Sequence, residues 1–427
     1  MEDTIEAGAN FSGPRHPLAY RDYRLFWVAR FCGVIATLSL VVVLGWQVYD
    51  VARSDYGMSR SAAAFQLGIL GFVQFVPLFL LTPVSGLVAD RYDRRTVATI
   101  SVMLDMVVAS GLGLATWLGA LSLPILFGLA AMHGIARIFF GPAMSSLAPN
   151  LVPAPVIPRA IATNSIAWQF ASVLGPAVGG MLYAVFPSLP YIVAVGLLGV
   201  SAVLISLIKP RTQPDIDRTV RPVVQIKEGL RFVWHDRFLL GAISLDLFAV
   251  LLGGVTALLP VFARDILQVG PVGLGWMRAA PAIGAGLVAL WFALKPMERN
   301  VGVKMLWAVG IYGAATAVFG FSHTLLYSLA LLVILGAADM VSVFVRNSLI
   351  QLNTPDNMRG RVSSLSGLAI SASNELGELQ SGVAAAILGA TGAVVFGGAG
   401  AILVTLIWAL AFPELKNART FAPTYRE

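Results

Sequence analysis

The stretch KPRTQPDIDRTVRPVVQIKEGLRFVWHDR, from Lys209 to Arg237, is the longest polar run in a chain that is otherwise mostly apolar. It carries Lys209, Arg211, Arg218, Arg221, Lys227, Arg231 and Arg237 together with Pro210, Pro214 and Pro222. Reading outward from it, six apolar runs precede it, near 25–48, 64–88, 96–118, 121–141, 161–185 and 189–208. Six follow, near 238–260, 273–294, 304–321, 325–345, 362–389 and 393–412. A membrane-crossing helix needs about 20 apolar residues. Of the 427 residues, 57% are hydrophobic and 12% charged, against roughly 25% charge in a soluble chain. The expected architecture is therefore an all-α membrane protein of twelve transmembrane helices in two pseudo-symmetric six-helix bundles. The tail 1–22, a bundle over 23–208, the linker 209–237, a bundle over 238–412 and the tail 413–427 would be its parts. Glu2, Asp3, Glu6, Arg15 and Asp22 interrupt the first 22 residues, which have no short apolar core or small-residue cleavage site, so no signal peptide is expected.

An even number of crossings places both termini on one side. With that side cytoplasmic, Arg53, Arg60, Arg264 and Arg278 fall outside and Arg30 and Arg137 within spans, while the rest of the 29 Lys and Arg collect inside. This is the positive-inside pattern, and the excess of +7 is read as topology and anionic-lipid attraction rather than a nucleic-acid surface. Within the linker, Val224, Ile226, Leu230, Val233 and Trp234 recur at helical spacing beside Lys227 and Arg231, as in an amphipathic helix on a membrane surface. Sliding one half over the other by about 202 residues matches Ser146-Leu147 with Ser348-Leu349, Pro153 with Pro355, Arg159 with Arg361 and Gly175 with Gly377. The same register sets Arg137 against Asp339 and Pro176 against Glu378, places where duplicated halves have diverged.

After the second run comes Gly86-Leu87-Val88-Ala89-Asp90-Arg91-Tyr92-Asp93-Arg94-Arg95. It resembles the loop motif between helices two and three of the major facilitator superfamily, G-x-L-x-D-R-x-G-R-[KR], with Asp93 where that pattern has its second glycine. Gly175-Pro176-Ala177-Val178-Gly179-Gly180 in the fifth run resembles the superfamily's antiporter motif, G-P-x-x-G-G. Its glycines let helices touch and its proline removes a backbone hydrogen bond. Arg21-Asp22-Tyr23-Arg24-Leu25-Phe26-Trp27, Phe140-Gly141-Pro142-Ala143, Pro355 to Val362 and Ser373-Asn374-Glu375-Leu376-Gly377-Glu378 resemble the branch that includes bacterial enterobactin exporters. The resemblance implies two six-helix bundles and rocker-switch alternating access. By analogy it implies proton-driven efflux of small organic molecules, such as drugs or siderophore-like compounds, across the inner membrane by a monomer.

A charge at the bilayer centre costs about 2.5–3.5 kcal/mol on insertion scales, so each is a functional candidate. Glu375 lies near the middle of the eleventh run with Glu378 one turn further on the same face, a pair suited to carrying protons. Asp246, Asp339 and Asp105 are further candidates. By family analogy the first and fourth helices of each bundle line the cavity, where Asp246 and Asp339 would face Arg30 and Arg137 and make ion pairs in one state only. Arg137 stands where the family has its span-four arginine, which implies a gating or relay role; Arg30 is close enough to the end of its span to snorkel. Asp105 suits a structural pair equally well. Trp46, Gln47, Tyr49, Gln74, Trp168, Gln169, Trp276 and Asn374 fit cavity lining, interfacial anchoring or ordinary packing.

Enzymatic chemistry has no footing here. His16, His133, His235 and His323 lie in separate segments, and no H-E-x-x-H or G-x-S-x-G occurs. None of the five lysines follows a glycine, which removes the ATP-hydrolysing phosphate loop, and the single Cys32 removes disulfides and multi-cysteine metal sites. Neither metal nor cofactor is expected. The partners expected are a small-molecule substrate, protons and the lipid bilayer, with no nucleic acid. A uniporter or importer of the same fold is the alternative, and a non-transporting receptor or scaffold a more distant one.

Overall fold

The structure is a computed structural model that describes residues 13–14, 16–209, 222–295, 297 and 299–421. The first series of helices is α1 (Arg21–Ser54), α2 (Arg60–Arg91), α3 (Arg94–Trp117), α4 (Leu123–Leu147), α5 (Ile157–Val185) and α6 (Leu189–Ser206). A short helix, α7 (Pro222–His235), precedes the second series: α8 (Arg237–Leu252), α9 (Gly270–Leu294), α10 (Val301–Phe319), α11 (Leu325–Asn353) and α12 (Asp356–Ala411). Short 3-10, α and π turns extend α8 to Ile266, and α13 (Pro413–Asn417) closes the described chain. Helices are the form in which an apolar run satisfies its own backbone hydrogen bonds inside lipid. Eleven helices among the described residues are long and apolar enough to cross a membrane, so this is a multi-pass membrane protein.

The last of these, over Arg361–Ala411, is long enough for two crossings. Gly389, at φ 73° and ψ 167°, lies in a region of backbone space open to glycine and breaks α12. Before the break, Gly377 lies against the backbone of Val250 and Leu251. After it, the chain returns along α10, with Gly398 against Ala317 and, nearer the terminus, Leu415 against Gly302. Twelve crossings are consistent with this path, and the sequence's loop at 390–392 shrinks to a turn about one glycine.

The long helix α1 begins earlier than hydropathy suggests because its amphipathic start is tied down: Tyr23 donates to the Ala160 carbonyl at 2.6 Å and Trp27 to that of Thr163 at 3.1 Å. The expected linker helix forms, with residues 210–221 outside the described residues. Val233 buries its face beside Leu239, Ile243, Ile350 and Val362, while Glu228 pairs with Arg361 at 2.6 Å.

Two arginines stand elsewhere than the sequence suggests. Arg278 is inside α9 rather than in an external loop. Arg346, beyond the expected end of the tenth span, lies inside α11 at 1% exposure.

Two helix pairs join the series: α2 with α12 and α5 with α9. Their contacts are glycine-made. A Cβ on Gly68 would come within 2.9 Å of the Gly382 Cα, and one on Gly275 within 2.7 Å of the Pro176 carbonyl.

Candidate functional site

Between the two series lies a cavity of about 530 Å³. Its walls combine leucines of α1 and α2 with Trp168 and Gln169 of α5 and Asn374 of α12. Five charged side chains reach it: Arg137 from α4, Arg278 from α9, Asp339 from α11, and Glu375 and Glu378 from α12. Arg137 Nη1 approaches Glu375 Oε1 at 3.7 Å and Gln74 Oε1 at 3.4 Å, linking α4 to α12 across the boundary between the series. Glu378 lies on the seam itself, where a Cβ added to Gly71 would meet its Cβ at 2.5 Å. The fields of Arg137 and Arg278 act on both glutamates. Arg278 Nε is buried without a hydrogen-bond partner. Three acids against two arginines make the cavity's formal charge depend on how many of the acids hold protons.

The other sequence candidates separate into structural and peripheral positions. Asp246 does not face an arginine of the first series. It is paired with Arg346 of its own, and both are buried. Asp339 faces the central cavity and also a small void shared with Asp246, Ser342 and Tyr312. Among the described residues Arg30 meets no acid either: its Nη1 reaches Ser145 Oγ at 3.5 Å, and its guanidinium lies 6.0 Å from the Trp168 ring centroid. Asp105 is buried between helices, its Oδ1 2.6 Å from His133 Nδ1 and its Oδ2 accepting from Thr37 at 3.0 Å. Of the polar and aromatic candidates, Gln74, Trp168, Gln169 and Asn374 line the cavity. Gln47 instead bonds Thr116 and Tyr191, and Trp276 is partly exposed.

In the loop motif, Arg94 donates to the Ser146 carbonyl at 3.0 Å near the end of α4, where the helix dipole favours a cation. Arg95 grips Asp93 at 2.6 Å and the Ile208 carbonyl at 2.5 Å. The substitution of Asp93 for glycine has a clear use: at φ −57° it caps α3, accepting from the Arg95 amide at 2.8 Å. Those Arg95 hydrogen bonds hold its carboxyl below the usual aspartate range. Gly86, Asp90 and Arg91 end α2, and their side chains lie outside the described residues.

The glycine-proline motif of α5 packs on two partners. A Cβ on Gly175 would meet Leu38 at 2.9 Å, and one on Gly179 would meet Ser39 Oγ at 2.5 Å, so both glycines admit α1. Pro176 and Gly180 face α9 across the boundary, Gly180 against the Pro271 carbonyl. Nearby, at the end of the molecule away from the termini, the series are clasped by charge. Arg264 meets Asp50 at 2.9 Å, while Asp265 takes Arg53 at 3.2 Å and the Tyr49 hydroxyl at 2.7 Å.

Sequence reasoning missed Arg278, Arg346 and His133. His133 stood within an expected span, and Arg278 near the start of one although it was counted with the external loops; that position was the available signal. Arg346 fell one residue past a span's end, so hydropathy concealed it.

The family model described as Major Facilitator Superfamily matches residues 26–378. The chain is 29% identical over 368 residues to "Multidrug efflux pump Tap" of Mycobacterium tuberculosis (strain ATCC 25618 / H37Rv), covering 82% of this chain and 85% of that one. It is 24% identical to "Enterobactin exporter EntS" of Escherichia coli O9:H4 (strain HS), covering 94% of each. Among solved structures, a D-xylose-proton symporter superposes with TM-score 0.69 at 15% identity, over 92% of this chain and 98% of the other. That likeness extends the fold assignment to the whole membrane region.

Proposed function

This chain belongs to the Major Facilitator Superfamily and is a membrane transporter rather than an enzyme, and from that premise we propose that it is a proton-coupled exporter of small organic molecules. The observation that carries the reading is the Arg137–Glu375 approach inside the cavity, with Glu378 one turn away on the seam between the series. A proton taken by Glu375 weakens its attraction for Arg137, so proton occupancy and the contact between the series are the same variable. A substrate cation competing for the same carboxylates would displace the proton, which is antiport. The cavity's leucines and Trp168 suit an amphiphilic cargo, and the curated relatives named above are called a multidrug efflux pump and an enterobactin exporter. The working orientation places both termini in the cytoplasm of a bacterial inner membrane, as the distribution of Lys and Arg supports. The conformation is then inward-open, with the Asp50–Arg264 and Arg53–Asp265 pairs closing the outside, and the rocking motion exchanges that closure for one at the inner end. The protein acts as a monomer.

The test is accumulation of fluorescent lipophilic cations and catechols in cells, with and without a protonophore. Wild type is expected to lower accumulation, and either the protonophore or Glu375→Gln/Glu378→Gln to restore it. Full activity in the double variant would remove these glutamates from coupling. Loss of substrate content on adding the protonophore would reverse the proposed direction.

A further inference from the structure

The buried Asp105–His133 contact lies outside the central cavity and is unused by the transport reading above. Asp105 is 3% exposed and His133 0%. The carboxylate is held at both oxygens, by His133 Nδ1 at 2.6 Å and Thr37 Oγ1 at 3.0 Å. With the shared proton assigned to Nδ1, the other ring nitrogen of His133 is left over: Nε2 is buried and has no hydrogen-bond partner. Neither protonation state is then free of cost. A neutral imidazole leaves a net negative charge in the membrane interior, which is expensive. An imidazolium neutralises the pair but buries an unpaired N–H. Which state the pair adopts is then decided by the charges around it.

A small void, with room for about one water, is lined by Asp105, Thr37 and Arg137 together. Its remaining lining includes Ser101 of α3 and the apolar Gly33, Phe140 and Leu198 of α1, α4 and α6. From α2, the neutral Gln74 backs Gly134 and bonds Arg137. Apart from Asp105 itself, Arg137 is thus the charged group among the described residues bordering this void, and it lies one turn after His133 on α4. In the present conformation it is turned to Glu375.

We propose that Asp105 and His133 form a second proton-binding site within the first series of helices, its occupancy set by whether Arg137 faces Glu375 or Asp105. When Arg137 leaves Glu375 and turns to Asp105, its charge replaces the one His133 supplied, and Nε2 gives up its proton. The site itself stands on geometry alone, whereas its link to Glu375 rests on the coupling reading above.

Nitrogen-15 NMR of the full chain in lipid vesicles, labelled at histidine, reads the ring nitrogens directly. The chain has four histidines, and His16→Gln, His235→Gln and His323→Gln assign His133 by elimination without disturbing the pair. At pH 6.5 Arg137→Gln should at least double the imidazolium fraction of His133. A ring fixed in one form from pH 5 to 9 would make the pair a structural strut and overturn the proposal. Titration indifferent to Arg137→Gln would overturn its control by that residue. Spectra of Glu375→Gln/Glu378→Gln separate the two readings: if transport coupling is intact there while His133 still titrates, the glutamate assignment fails and this site stands.

Discussion

Asp246 and Arg346 illustrate how differently two charges in a membrane can behave. Each is nearly absent from solvent, and each has the other as its ion-pair partner. Removing one member of such a pair leaves an uncompensated charge, typically at a cost of about 3–5 kcal/mol, whereas replacing both by apolar groups can be neutral. Arg346→Met is therefore expected to lower the thermal stability of the purified transporter sharply, and Asp246→Leu/Arg346→Met to recover most of the loss. Asp93 belongs to the aqueous rim and follows another rule. Its carboxyl is held below its unfolded value by Arg95, so the cap it gives α3 is present above about pH 4 and is lost as pH falls through the lower folded value. Asp93→Ala should accelerate amide exchange in the first turn of α3 at pH 6, by an amount matching a lost cap of about 1 kcal/mol. Once the pH has fallen below that folded value, the wild type and the variant should exchange alike.

At the scale of helices, the decisive contacts are those that a side chain would forbid. Gly180 of α5 meets the Pro271 carbonyl of α9 so closely that no Cβ fits without displacement. Gly180→Leu should prise apart the end of the molecule away from the termini. With Cys32 replaced by alanine, a single cysteine at the cavity residue Ser371 reports which side is open. The unaltered glycine should allow its modification from the terminal face, and Gly180→Leu should make it reactive from the opposite face. Much of this level was legible beforehand. The spans follow from hydropathy because lipid demands it, and Gly175, Pro176, Gly179 and Gly180 stand out because a proline amid closely spaced glycines weakens an isolated helix and makes sense only against neighbours. Glu375 and Glu378 were visible for a similar reason, as charges inside an apolar run. What could not be read was pairing. Nothing in one dimension says that Asp246 meets Arg346 rather than Arg30, since partners about 100 residues apart are chosen by helix packing. Arg346 in addition stood just where an apolar window ends.

Taken whole, the molecule is two series of helices that touch along α2–α12 and α5–α9 and are latched at one end by reciprocal charges. Arg264 of the second series reaches Asp50 of the first, and Arg53 of the first reaches Asp265 of the second. Each link alone is partly solvent-exposed and weak, but the two lie side by side, joining residues one turn apart on α1 to two residues adjacent in sequence. Arg264→Asp should shift the population toward opening at that end, seen as faster modification of the Ser371 reporter from the face away from the termini. Asp50→Arg combined with it should return the rate toward that of the parent. Equal rates in all three proteins would deny the latch any part in the conformational balance.

Gly389 bears on how such a molecule is made. No charged residue occurs between Leu379 and Phe412, and the chain reverses on a single glycine within that interval. The translocation machinery therefore meets a long oily segment with no charge to mark where it should turn, and the turn rests on the backbone freedom of one glycine. A bulky residue at 389 is expected to be felt first during biosynthesis, in the yield of correctly inserted chains, before it is felt in transport.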